Sequence, residues 1–293
     1  MDGINVRYKR LKIISIFGTR PEAIKMAPVI KELEAEKSIE SIVCVTAQHR
    51  EMLDQVLHLF SIKPDYDLNL MTQNQGLTDV TTAILGGLEK IIKKCQPDRI
   101  LVHGDTTTSF TAALSAFYQK IPVGHVEAGL RTGNIYAPWP EEMNRRLTDT
   151  ISDLHFAPTQ SAKQNLINSG AKKSNIFVTG NTVIDALLNI CDRLENDPGI
   201  LEQAKKDIPA LKKGKKLILV TGHRRESFGG RFEQICNALA RLAERKDIQI
   251  IYPVHLNPNV QEPVNRILNH NDNIHLTTPL EYLPFVYLMK EAH

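Results

Sequence analysis

The sequence is poor in cysteine and in long apolar runs, and these absences exclude several classes of protein. Its four cysteines, Cys44, Cys95, Cys191 and Cys236, are scattered and form no CxxC pair. They are typical of free thiols in a cytoplasmic protein, and they predict neither a disulfide framework nor a zinc site. No apolar run is long enough to cross a bilayer, so we expect no membrane partner.

The net charge is also small. The 36 Lys and Arg residues nearly cancel the 33 Asp and Glu residues, which leaves +3. This value does not indicate a nucleic-acid partner. The sequence contains no HExxH motif or close Cys/His cluster, and its first strand is not followed by GxGxxG. We therefore expect no metal, and dinucleotide binding is weakly supported.

Strand-like and helix-like segments alternate along the chain, which predicts an α/β fold. A length of 293 residues is enough for two such domains, although one large domain is an alternative. The composition becomes polar near Gly170–Asn175. We place the boundary there, with one domain at 1–174 and a second at 175–293 that opens with a short strand at Ile176–Thr179.

The most informative stretch runs from Arg99 to Arg146. Two short apolar runs, Arg99–His103 and Pro122–Val126, are typical of buried strands. Asp105 follows the first run and Glu127 follows the second. Ligands bind at the carboxyl ends of strands in open α/β sheets, so we expect these two carboxylates to lie close together at a binding edge.

A third carboxylate, Glu141, follows Pro140, which has the position of a first helical residue. Each of the three acids has a structural alternative, because an acidic residue before a helix usually caps it or complements its dipole. We favour that alternative for Glu141 taken alone. For Asp105 it is as good as the functional one, since Thr106 is an equally suitable cap. Three acids at one edge together favour proton-transfer chemistry.

Cationic side chains lie in two strand-to-helix loops. The first loop carries Arg20 and is followed by Lys25, and the second, Thr221–Gly230, contains His223 and Arg224. Backbone N–H groups and cations in such loops are suited to an anion. Taken alone, Lys25 is better explained as a solvated helix residue.

Other histidines lie at strand ends. His103, His125 and His255 are best explained as hydrogen-bonded structural residues. Strand alternation places His125 and Glu127 on one face. His223, within the glycine-rich loop, is the strongest functional candidate among the histidines.

Long colinear motifs across nearly the whole chain resemble the bacterial non-hydrolysing UDP-N-acetylglucosamine 2-epimerases. They are FGTRPEAIKMAPV at Phe17–Val29, TAQHREMLDQVL at Thr46–Leu57, HGDTTTS at His103–Ser109, PVGHVEAGLRTG at Pro122–Gly133, PWPEEMNRR at Pro138–Arg146, TGNTVIDAL at Thr179–Leu187, VTGHRRESFG at Val220–Gly229 and YPVHLNPNV at Tyr252–Val260. The resemblance implies two Rossmann-like domains of the glycosyltransferase-B type and, for the assembly, a homodimer.

The implied reaction interconverts UDP-N-acetylglucosamine and UDP-N-acetylmannosamine, which supplies precursors of bacterial surface polysaccharides. UDP leaves by anti elimination to give 2-acetamidoglucal and then adds again, without a metal or a nicotinamide. A hydrolysing epimerase, a glycosyltransferase of the same fold and a non-catalytic nucleotide-sugar-binding module are the alternatives. The three acids favour the epimerase, because it needs bases at C2 whereas a transferase needs an acceptor groove.

The resemblance assigns roles by position. It makes Asp105, Glu127 and Glu141 catalytic acids and places the catalytic His223 near the diphosphate. Substrate-binding residues by the same comparison are Arg20, Lys25, Arg145 and Phe285. Arg145 is one helical turn after Glu141 and so is expected to orient it. Some members bind a second UDP-N-acetylglucosamine as an activator, and the matching residues are Gln48, His49, Arg224 and His255.

Three departures from the family pattern concern the nucleotide and activator sites. Leu280 stands where some members have glutamine, and Glu51 differs from another glutamine. The sequence ends at His293, before a serine-glycine-glycine turn, a glutamate and an arginine that hold UDP in the family. We therefore expect the second domain to be incomplete and UDP binding and turnover to be weak.

Overall fold

The computed structural model describes residues 9–47, 50–70, 75–222 and 230–293. The chain forms two compact units, Met1–Ala186 and Leu187–His293. Among the described residues, we find no helix with the length and apolar character that crossing a membrane requires.

The first unit is built on a parallel sheet with strand order β3-β2-β1-β4-β5-β6-β7. Its strands are β1 (Leu11–Phe17), β2 (Ile39–Val45), β3 (Tyr66–Asp67), β4 (Arg99–His103), β5 (Val123–Val126), β6 (Leu154–Ala157) and β7 (Ile176–Val178). The connecting helices are α1 (Arg20–Ala35), α2 (Arg50–Leu59), α3 (Leu77–Cys95), α4 (Thr107–Tyr118), α5 (Glu141–Ile151) and α6 (Gln160–Asn168), with a 3₁₀ turn at Lys173–Asn175. Helix α7 (Thr182–Asn196) begins in this unit.

The centre of this sheet is a topological switch point. Strand β1 pairs with β2 on one side and with β4 on the other, in a register that sets Ile14 beside Ile100. Both isoleucines are fully buried and pack in a core with residues of α3 and α4. Continuous apolar runs form these strands because helices cover both faces of a parallel sheet. The loops after β1 and β4 therefore diverge at the edge where such sheets bind ligands.

The second unit has a smaller parallel sheet with strand order β10-β9-β8. It contains β8 (Lys216–Leu219), β9 (Ile248–Pro253) and β10 (Ile274–Thr277), with helices α8 (Pro198–Lys205), α9 (Gly230–Leu242), α10 (Pro258–Leu268) and α11 (Tyr282–Glu291). Its core packs Tyr252 of β9 against Phe232 of α9 and Val264 of α10. After α11, the backbone N–H of His293 donates to the carbonyl of Leu217 on β8 over 2.9 Å.

Ile176–Val178 differs from the expected start of a second domain. This strand is β7, and it pairs with β6 in the sheet of the first unit, with Phe156 beside Phe177. Ladder hydrogen bonds join it to the first sheet, so the polar composition at Gly170–Asn175 marks the connection from α6 to β7 within one unit. The expected boundary between 174 and 175 accordingly lies inside the first compact unit.

Candidate active site

The carboxyl edge of the first sheet brings together the acids that follow β4 and β5. These strands pair in parallel, with His103 beside Val126, so Asp105 and Glu127 leave neighbouring strand ends as predicted. A Cβ atom built on Gly104 would lie 3.8 Å from Oε1 of Glu127, which shows how close the two loops approach. The side chain of Asp105 is 30% exposed and that of Glu127 only 11%.

Glu127 is held by two hydrogen-bond donors. The ammonium group of Lys25 lies 2.8 Å from Oε1 and 2.6 Å from Oε2. The side-chain amide of Asn181, in the loop after β7, donates to Oε2 over 2.6 Å. Lys25 is therefore an ion-pair partner of Glu127 rather than a solvated helix residue. Reasoning from the sequence missed Asn181 as a site residue. Its position as a polar residue shortly after the apolar strand β7 could have indicated it.

The prediction that His125 and Glu127 share a strand face does not hold. Strand β5 ends at Val126, and Glu127 has a left-handed backbone with φ of 64°. Two-residue alternation therefore stops before Glu127 is reached. The turn instead directs its carboxylate to Lys25 of α1.

Asp105 forms an ion pair with Arg145 of α5, whose guanidinium also lies 3.4 Å from Glu142. The predicted partner of Arg145 was Glu141, one helical turn away, and that prediction is wrong. A carboxylate from the loop after β4 pairs with the arginine instead. Thr106 caps α4, with its Oγ1 accepting from the Ser109 amide over 3.1 Å, which leaves the Asp105 carboxylate out of the cap.

The two acids that start α5 have different environments. Glu142 is fully buried and accepts from the Thr132 amide over 3.1 Å and from Arg146 Nε over 3.0 Å. Burial opposes its ionisation, but these donors and Arg145 hold the pKa of Glu142 below its ordinary value. Glu142 is therefore a structural carboxylate.

Glu141 is the first residue of α5, and Pro140 is the N-cap rather than the first helical residue. Its Oε2 is buried and has no hydrogen-bond partner among the described residues. A buried acceptor without a donor is costly, so this oxygen is suited to a group that a ligand brings.

The buried carboxyl group of Glu22 joins the loop after β1 to the loop after β4. Reasoning from the sequence missed this residue as part of the site. Oε2 of Glu22 accepts from the Gly18 amide, the Thr19 amide and the Thr19 hydroxyl over 3.1, 2.9 and 2.8 Å. Oε1 accepts from the hydroxyls of Thr106 and Ser109 over 2.7 and 2.9 Å. Burial raises the pKa of Glu22, although these donors oppose the shift.

The signal for this arrangement was the Thr19-x-x-Glu22 capping box at the start of α1. It uses the backbone N–H groups of Gly18 and Thr19, which we had expected to face an anion. Arg20, the first residue of α1, remains half-buried beside this loop.

His103 and His125 are both buried, and His125 is hydrogen-bonded as a structural histidine should be. His103 differs from that expectation, because neither of its ring nitrogens has a hydrogen-bond partner among the described residues, and its Nε2 lies 3.9 Å from Oε2 of Glu127. Burial, with the nearby charge of Lys25, lowers the pKa of His103 well below 6.5. His103 therefore presents a neutral ring to Glu127.

Some predicted residues lie in the second unit or outside the described residues. Phe285 is half-buried on α11, and His255 follows β9 with its Nδ1 accepting from the Asn257 amide over 3.1 Å. Gln48, His49, His223 and Arg224 lie outside the described residues. Within the described part of the chain, no group of three or more His, Cys, Asp or Glu side chains is arranged to hold a metal ion. Parallel sheets in both units, with acids and cations at one edge of the larger sheet, define an α/β protein equipped for acid–base chemistry.

Comparison with known proteins makes the class specific. The family model for UDP-N-acetylglucosamine 2-epimerase matches residues 31–293. The chain belongs to this family of enzymes. It is 58% identical to the UDP-N-acetylglucosamine 2-epimerase of Yersinia pestis over 97% of this chain and 76% of that protein. With the Escherichia coli K12 enzyme the identity is 59%, over 96% of this chain and 75% of the relative.

A solved structure gives the same result. The Neisseria meningitidis enzyme, in a crystal structure bound to UDP-GlcNAc, is similar with a TM-score of 0.89 and 52% identity, over 97% of this chain and 76% of that one. The likeness confirms the predicted α/β fold of two Rossmann-like units of the glycosyltransferase-B type.

Proposed function

We propose that this chain interconverts UDP-N-acetylglucosamine and UDP-N-acetylmannosamine by removing and re-adding UDP. The observation that carries the proposal is the ordered edge at which Asp105 and Glu127 each meet a cation, Arg145 and Lys25 respectively. Membership of the UDP-N-acetylglucosamine 2-epimerase family supports the identity of the substrate.

Proton transfer at C2 needs groups that can take a proton on one face of the sugar and return it on the other. In our proposal, Asp105, Glu127 and Glu141 supply these groups. Lys25 and Asn181 hold the Glu127 carboxylate in place through hydrogen bonds to its two oxygens. The Oε2 atom of Glu141 has no donor among the described residues, and in our proposal the substrate supplies one.

The leaving group is a diphosphate and needs positive charge. We assign this role to His223 and Arg20 on the motif match, with Phe285 beside the uracil. We further propose a cytoplasmic homodimer, activated by a second UDP-N-acetylglucosamine at Gln48, His49, Arg224 and His255. The exposed rings of Phe117 and Tyr118 on α4, 6.5 Å apart, support an interface there.

The test is NMR product analysis after incubation with UDP-N-acetylglucosamine in D₂O, without added metal or NAD. We expect UDP-N-acetylmannosamine with deuterium at C2. Free N-acetylmannosamine would indicate a hydrolysing enzyme, and protium retained at C2 over many turnovers would contradict exchange of the proton with water. An unchanged substrate would reject the proposed activity for this chain.

A further inference from the structure

A buried polar chain connects the surface to the turn that carries Asp105. The guanidinium of Arg131 donates to Oδ2 of Asp149 over 2.7 Å. Oδ1 of Asp149 lies 2.6 Å from Nδ1 of His125, and Nε2 of the same ring lies 2.7 Å from the carbonyl oxygen of Gly104. His125 is fully buried in β5, so water does not compete for either contact.

Both neighbours of the His125 ring are hydrogen-bond acceptors. Burial disfavours the charge on Asp149, but His125 and Arg131 hold the pKa of Asp149 below its ordinary value, so it is a carboxylate. A carbonyl oxygen can only accept. Each ring nitrogen therefore faces an acceptor oxygen, and a ring that donates from both nitrogens satisfies both contacts.

The charges around the ring are compatible with this arrangement. Asp149 is the facing carboxylate on α5, and Lys25 of α1 is neutralised by Glu127. His103 of β4 has its pKa lowered by burial and by the nearby charges of Lys25 and His125. Nε2 of His155, on β6, contacts the backbone oxygen of Asp149 over 3.0 Å and so helps to fix that residue.

We propose that His125, held by Asp149, is a positioning residue that fixes the Gly104–Asp105 turn for catalysis. Gly104 has φ of 67°, and its N–H is bonded to Val126 over 2.9 Å. The contact with His125 holds the carbonyl group of the same glycine. With both sides of Gly104 held, the Asp105 side chain is directed toward Arg145. This inference depends on the proposed function for its kinetic consequence and on hydrogen-bond geometry for its structural one.

The structural consequence is tested on the unsubstituted chain by NMR of ¹⁵N-labelled histidine rings. We expect one buried histidine whose two ring nitrogens both carry protons, and we expect the Asp149→Asn variant to lose that signature. An unprotonated ring nitrogen on His125 in the unsubstituted chain, assigned by comparison with His125→Gln, would overturn the proposal. This measurement needs no activity, so it is informative even if epimerisation is not observed.

The kinetic consequence is tested with Asp149→Asn and His125→Gln, and Ser152→Ala is the matched control. Ser152 is also buried, at the C-terminal end of α5, and its hydroxyl donates to the Thr148 carbonyl over 2.8 Å. Misplacement of a reacting group by ~1 Å costs about 100-fold in rate, so we expect kcat to fall ~10–100-fold with little change in KM. The control should lose stability without that loss in kcat. Equal kcat values for Asp149→Asn, the control and the unsubstituted chain would refute the positioning role.

Discussion

Replacing Glu22 with alanine tests whether one buried carboxyl group joins the β1 and β4 loops. The change removes the acceptor for the Gly18 and Thr19 amides and for three hydroxyls. Hydroxyls can rotate to other partners, but the two amides cannot. A buried donor left without a partner costs about 1–3 kcal/mol, so two amides cost about 2–6 kcal/mol. At about 2–4 °C per kcal/mol, a loss near 4 kcal/mol lowers Tm by about 8–16 °C.

Urea denaturation followed by circular dichroism and by fluorescence is the assay. The single tryptophan, Trp139, lies in the first unit and reports on it. Glu32→Ala is the control, because Glu32 lies on the same helix and is exposed. A Glu22→Ala variant within ~0.5 kcal/mol of that control would refute the reasoning.

The pH dependence gives a second test of Glu22. Its folded pKa is raised above the ordinary value of 4.5, so the folded state holds this proton more tightly than the unfolded state. This contribution to stability is fully present below pH ~4.5 and declines as the pH rises through the folded pKa. Glu22→Gln does not titrate and should lack that decline. Equal slopes of unfolding free energy against pH would contradict the shift.

Three further substitutions probe the same edge. Asp105→Asn should preserve the fold and reduce kcat by about 10²–10⁴-fold, since general acid–base groups contribute that much; near-normal turnover in a folded variant would remove Asp105 from the mechanism. Lys25→Met should leave Glu127 without its ion-pair partner and lower kcat, whereas an unchanged kcat in a folded variant would show that the pair is not functional. Gly129→Ala should unfold the first unit more readily, because φ is 87° and the added Cβ would meet the Ala162 carbonyl oxygen at 2.3 Å; an unchanged Tm would contradict this.

The fold and the pair of acids could be predicted because strand ends are encoded locally. Apolar runs at Arg99–His103 and Pro122–Val126 located β4 and β5, and parallel pairing then placed Asp105 beside Glu127. What could not be predicted depends on contacts between distant segments. Arg145 had a nearby acid one turn away, yet its partner lies 40 residues back in the chain.

Three other differences have the same origin. The left-handed backbone of Glu127 interrupted an alternation that the sequence alone would continue. The sequence of Ile176–Val178 does not indicate which sheet this strand joins. Its hydrogen bonds to β6 place it in the first sheet. Glu22 belongs to a helix cap in the sequence, and only the folded chain brings Thr106 and Ser109 to its second oxygen.

The place of Glu22 also determines what the first sheet can accept. In sheets with this strand order, a nucleotide phosphate usually occupies the crevice between the first turns of the helices that follow β1 and β4. Here a carboxyl group of the chain itself fills the corresponding space and uses the amides of Gly18 and Thr19. A dinucleotide entering there would have to displace five hydrogen bonds from a buried side chain. The first unit thus has the strand order of a nucleotide-binding domain, but the Glu22 side chain fills the position of the phosphate. The acids that follow β4 and β5 are left to contact a ligand.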